Sequence, residues 1–214
     1  MLQVAPGLWR WTGLHPAWTP LAQGGAQGWE QEVGCVYYEA GDTVVLVDPL
    51  VPPEDETRFW RALDRDVERM GGRVVVTLTA PWHARSTDAI VARYRATVWS
   101  HPGGSSRLGR AIDAPVLPPG LEVFEIPPAR EGQVVLFLTE HRALVTAEVL
   151  TGVDGRLVVV PSPRLEDEAR LASCLGLLLE LPIEIVLPAH GGPILERGRE
   201  AVSAAVAHWA PSAA

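Results

Sequence analysis

The chain has 214 residues, 47% of them hydrophobic, and a formal net charge of −8. That length and apolar share suffice for one full core, so residues 1–214 are read as a single domain. The negative balance disfavours a nucleic-acid partner, whose phosphates a protein must neutralise.

No apolar run reaches the roughly 18 residues of a membrane span, so no membrane association is expected. The N-terminal MLQVAPGLWRW lacks the basic stretch and long apolar run of a secretory signal, and a cytoplasmic location is expected. All 18 basic residues are arginine, which removes Schiff-base and lysine-nucleophile chemistry. Cys35 and Cys174 lie far apart in apolar contexts and read as buried free thiols.

In chain order, strands are expected at Val4–Trp11, Gly34–Tyr38 and Thr43–Val47, the last two joined by the polar hairpin connection Glu39-Ala40-Gly41-Asp42. Residues 12–32, rich in Gly, Pro, Trp and Gln, read as a long loop. Phe59, Trp60, Leu63, Val67 and Met70 recur at three- and four-residue spacing, predicting a helix over Glu54–Met70 that Gly71-Gly72 ends. A β-branched strand, Arg73–Thr79, breaks at Pro81. A short helix over Thr87–Tyr94, capped by Ser86 or Thr87, leads to a strand at Ala96–Ser100 and a turn at His101–Gly104.

The second half has the same style. Strands are expected at Leu121–Ile126, Val134–Thr139, Ala143–Thr146, Leu157–Val160 and Ile183–Leu187, with helices at Arg164–Leu179 and Ile194–His208. Two strand-rich halves with helices outside predict an α/β architecture, an αβ/βα sandwich of two mixed sheets flanked by helices.

Motifs narrow the chemistry. No serine or cysteine sits in a nucleophile motif, and the glycine pairs at 24–25, 71–72 and 103–104 fit no nucleotide loop. Most of the eight tryptophans are assigned to core packing, with Trp18, Trp29 and Trp82 as candidates for a pocket mouth or a homodimer surface. His15, His101, His141 and His208 read as surface residues.

Five segments in order carry a resemblance: VVLVDPLVPP (44–53), VVVTLTAPWHAR (74–85), LEVFEIPPAREGQVVLFL (121–138), ALVTAEVL (143–150) and IVLPAHGGPI (185–194). Together they resemble the metallo-β-lactamase-fold superfamily, which includes the hydroxyacylglutathione hydrolases. The resemblance implies the sandwich fold and metal-dependent hydrolysis. It also assigns seven ligand positions, which here fall on Ala80, Trp82, Ala84 and Arg85 in the first loop, Ala129 in the second, and Glu148 and His190. Only the last two offer a lone pair to a metal.

The expectation is therefore a divergent member with a degenerate metal site and no cofactor. Arg85 would put a fixed charge where a dication would sit and pair with Glu148. The site would bind a small, anionic molecule or perform acid–base work. Candidate catalytic residues are His83, Glu148, His190 and Asp48, with Arg85 and Trp82 as ligand-binding residues. Asp48 is read chiefly as a brace accepting loop N–H bonds. Two alternatives stand beside this: a hydrolase with an altered mononuclear site of His83, Glu148 and His190 holding zinc or another divalent metal, and a purely structural or interaction protein.

Overall fold

A computed structural model of the chain describes residues 1–20, 30–102, 117–126, 132–160 and 168–209. Trp29, Ala129, the glycine pairs at 24–25 and 103–104 and the start of the helix expected from Arg164 lie outside the described residues.

Two sheets stack face to face. The first has six strands in sequential order: β1 (Leu2–Ala5), β2 (Leu8–Leu14), β3 (Glu32–Ala40), β4 (Thr43–Val47), β5 (Arg73–Thr77) and β6 (Thr97–Trp99). Strands β1 to β4 run antiparallel and the β4–β5 and β5–β6 pairs are parallel. The parallel steps are bridged by helices α1 (Glu56–Arg69) and α2 (Thr87–Tyr94), as a parallel crossover requires. The second sheet contains β7 (Leu121–Glu125), β8 (Val134–Leu138), β9 (Ala143–Val145) and β12 (Ile185–Leu187) in the order β12-β9-β8-β7. A separate hairpin, β10 (Leu150–Val153) with β11 (Arg156–Val159), and helices α3 (Glu168–Leu178) and α4 (Gly198–Trp209) complete the described elements.

Strand alternation sets the layers. Along β4, Val45 and Val47 join Val36 and Tyr38 in a cluster that meets Leu136, Leu138 and Leu187 of the second sheet. Val44 and Leu46 face the other way, into a cluster with Leu63 and Val67 of α1 and Ile90 of α2. A third cluster packs Val135, Phe137 and Val186 under Leu171, Leu175 and Val202 of α3 and α4. Period-two side chains thus feed both faces of each sheet. The expected αβ/βα sandwich is the observed architecture.

Four local expectations shift. The strand over Val4–Trp11 splits in two, because Pro6 cannot donate to a ladder and Gly7 takes φ +72° to reverse the chain. Thr12–Leu14 continue β2 rather than starting the loop. Leu150–Val153 forms a strand that was not foreseen, its pattern broken by Gly152. The last helix starts at Gly198, not Ile194, because Ile194 is held in a two-way backbone bridge with Val186 (2.8 and 2.9 Å). Cys35 is buried and Cys174 half-buried, and both are free thiols. None of the described helices is long and apolar enough to cross a membrane.

Candidate functional site

The candidate residues sit where strands β4, β5, β9 and β12 end. Ala80 is extended (φ −153°, ψ 148°), the conformation favoured before proline, and Pro81 opens a 3-10 turn over Pro81–His83. Such a turn has three residues per turn, so Ala80 and His83 share one side. Both are buried, while Trp82 is turned half outward. The turn brings the histidine inward.

His83 bridges the two sheets. Its Nδ1 lies 2.9 Å from Asp48 Oδ2 and 3.0 Å from Thr79 Oγ1, and its Nε2 lies 3.4 Å from Glu148 Oε1. Asp48 Oδ1 accepts the Thr79 backbone N–H at 2.8 Å, and Oδ2 also accepts the Thr79 hydroxyl. Trp82 Nε1 donates to the same Glu148 Oε1 at 3.1 Å. The Gln133 carboxamide lies 3.2 Å from the N–H groups of Glu148 and Val149, and the amide orientation that satisfies both turns its oxygen toward them.

Charge follows from this geometry. Burial alone would lower the His83 pKa, but the Asp48 carboxylate overrides it and the imidazole is held above its ordinary value. Burial acts against the Asp48 carboxylate in the same way, yet the charge and hydrogen bond of His83 leave it below the usual carboxylate range. Each member favours the charged form of the other.

Arg85 behaves differently from expectation. Its Nη1 donates to the carbonyls of Asp48 (2.8 Å) and Gly34 (3.0 Å) and lies 3.6 Å from Cys35 Sγ. No ion pair joins Arg85 to Glu148 among the described residues, and Trp82 and His83 make the cross-sheet link to Glu148 instead. The reason is local: Arg85 has φ +38°, and its guanidinium serves two carbonyls of the first sheet.

His190 is buried behind this group. Burial depresses it most, the Glu148 carboxylate opposes, the charges of His83 and Arg85 add smaller lowering effects, and its pKa is lowered to about 4. Its loop is fastened to the first sheet by Gly34 N–H to Ala189 O (2.7 Å) and by Arg10, whose Nη2 donates to Gly191 O at 2.7 Å.

Two site residues escaped the sequence reading. Arg10 shares the inward parity of Leu8 in LWRWTGL, a signal that marks it as pointing between the sheets. His15, read as a surface residue, is half-buried and close enough to Arg85 and His83 for their charges to add to burial in lowering its pKa. Its Nδ1 accepts the Ala17 N–H at 3.3 Å. No periodic pattern marks it.

No protein-family model and no curated protein matches the sequence. The solved structures do match. A metallo-β-lactamase from Hirschia baltica superposes with a TM-score of 0.67 over 99% of this chain and 97% of its own, at 16% identity. A metallo-β-lactamase from Pseudomonas aeruginosa in a mono-zinc form gives 0.64 over 98% and 96%, at 14% identity. A metallo-β-lactamase family protein from Thermus thermophilus gives 0.58 over 96% and 80%, at 18% identity.

The chain has the metallo-β-lactamase fold. Identities this low establish the fold alone, and the chemistry must come from the side chains.

Those side chains do not fit the metal the fold implies. Ala80 and Ala84 offer no donor atom, the Trp82 indole is a hydrogen-bond donor only, and the Arg85 guanidinium is a cation. Ala129 is outside the described residues. His83 Nδ1 is committed to Asp48 and Thr79, and Glu148 Oε1 faces two nitrogen groups. Among the described residues no three His, Cys, Asp or Glu side chains come together as a metal-holding group, so the His83, Glu148, His190 set does not form one.

Proposed function

We propose that this chain is a divergent, metal-free relative of the metallo-β-lactamase-fold hydrolases whose strand-end site binds a small anionic molecule. The observation that carries this reading is the location of His83. It lies buried between Asp48 and Glu148, so that an imidazole whose charged form both carboxylates favour spans the two sheets. Arg85 adds a fixed positive charge beside it.

The field these groups create supports an anion. His15 is pushed down by burial and then by the charges of Arg85 and His83, whereas at His190 burial dominates and Glu148 opposes it more strongly than either cation adds to it. At the His15 wall of the site, an incoming carboxylate or phosphate gains from Arg85 and His83 what the imidazolium form loses. Arg85 and Trp82 are assigned to ligand contact, with His83, Glu148, His190 and Asp48 holding protons and geometry.

The test is a thermal-shift and calorimetric screen of phosphate, acetate, succinate and citrate against the wild type and Arg85→Met. At least one anion is expected to bind the wild type and to bind the variant about tenfold or more weakly, the loss of one charge-assisted contact. Failure of all four anions, or equal binding to the variant, would remove the reading.

A further inference from the structure

A second cavity lies away from the strand-end site, on the helix-facing side of the first sheet. It encloses about 240 Å³ between strands β2 to β4 and helix α1. That exceeds the roughly 150 Å³ cavity that admits benzene. Aromatic rings form about half its wall, Trp9 and Trp11 from β2, Tyr37 from β3 and Phe59 from α1, beside aliphatic side chains such as Leu46 and Leu63, with Asp66 about two turns further along the helix. Trp9 stands perpendicular to Tyr37 (centroids 5.1 Å, 77° between planes), and Trp11 is tilted against Phe59 (5.6 Å, 47°). The rings thus form corners rather than a flat stack.

One carboxylate lines the cavity and a second lies beside it. Glu39 accepts the Tyr37 hydroxyl at 3.1 Å, and Asp66 lines the cavity itself. Arg69 answers both carboxylates, in contact with Glu39 and 3.6 Å from Asp66, but its side chain is half exposed. At the Tyr37 phenol the balance is legible. After burial, the charges of Glu39 and of Asp66 raise its pKa, each acting more strongly than the opposing Arg69. Ring faces carry negative quadrupoles that attract cations. Several rings plus net negative charge suit an alkylated ammonium better than a neutral apolar molecule.

We propose that the cavity lined by Trp9, Trp11, Tyr37, Phe59 and Asp66 is a binding site for a small organic cation of the quaternary ammonium class. The site is independent of the anion reading at the strand ends.

Isothermal calorimetry on the full chain tests it with choline and with 3,3-dimethyl-1-butanol, the neutral isostere of the same shape. Saturable choline binding at millimolar concentration is expected, with the neutral alcohol at least about tenfold weaker. Trp9→Leu, which keeps an apolar wall and removes a π face, and Asp66→Asn, on the half-exposed rim, should each weaken choline severalfold. The comparison of two ligands on unmodified protein holds even if a variant misfolds. Equal affinity for alcohol and choline overturns the proposal in favour of a plain apolar cavity. Absence of choline binding, or choline affinity unchanged in both folded variants, overturns it too.

Discussion

Asp48→Ala is expected to destabilise the protein by about 3–5 kcal/mol, because it strips the nearer partner from a buried ion pair and leaves His83 only the more distant Glu148 carboxylate. Asp48 is 3% exposed and His83 is 3% exposed, so water cannot replace the lost carboxylate. The same change removes the acceptor for the Thr79 N–H and hydroxyl. Asp48→Asn should cost less, since it keeps an oxygen for Thr79 and tolerates the φ of +49° at this position. Urea denaturation of the three proteins measures the order.

The pH dependence of the deficit identifies its origin. The lowered Asp48 contributes stability that is present above its unfolded value, about 3.9, and is lost as pH falls through its folded one. The raised His83 contributes stability that is complete below about 6.5 and is lost as pH rises through its higher folded value. The gap between wild type and Asp48→Ala is therefore widest between about pH 4 and 6.5. His190 works in the opposite sense, its lowered value making the fold less stable as pH drops below about 6.5, but it is common to both proteins and largely cancels in the difference. A gap that does not change with pH contradicts the ion-pair origin.

Gly191→Ala is expected to be as damaging for a different reason. Gly191 has φ +75°, and a Cβ built there would overlap the Gly152 carbonyl oxygen. The obstacle is backbone, so no side chain can rotate away. Strain in the left-handed region adds to the overlap. A loss of about 3 kcal/mol or more follows, read by urea denaturation, together with displacement of His190, whose loop must shift. Loss of His190 packing should appear in its NMR titration, which moves from about 4 toward the ordinary histidine value. Wild-type stability in this variant would mean that the two loops do not touch.

The sandwich was legible in the sequence because β-branched runs such as TVVLV and VVLFL are fully buried strands, and because Phe59, Leu63 and Val67 keep helical spacing. Strand ends were less so. Pro6-Gly7 and Gly152 interrupt patterns over two to four residues, below what periodicity resolves. At the site, Asp48, Glu148 and His190 were reached through the resemblance, in segments that match strand ends of the fold. The inward direction of His83 was not, since counting along the loop treats positions 80 to 85 as equivalent steps while a proline-initiated 3-10 turn rotates successive residues by about 120°. The pairing of Arg85 with Glu148 failed on the same ground: opposite charges in a motif say nothing of nearer carbonyls. Arg10 could have been caught by strand parity. His15 is placed by a loop, where sequence carries no such rule.

The proposed function has His83 and Arg85 standing in place of a metal. Calorimetric titration of zinc into chelator-stripped wild-type protein, with His190→Ala as control, tests this most directly. The predicted result is no stoichiometric zinc at micromolar concentration and an unchanged melting temperature with or without metal. One zinc per chain, bound tightly by the wild type and lost in His190→Ala, would contradict it and restore the mononuclear hydrolase.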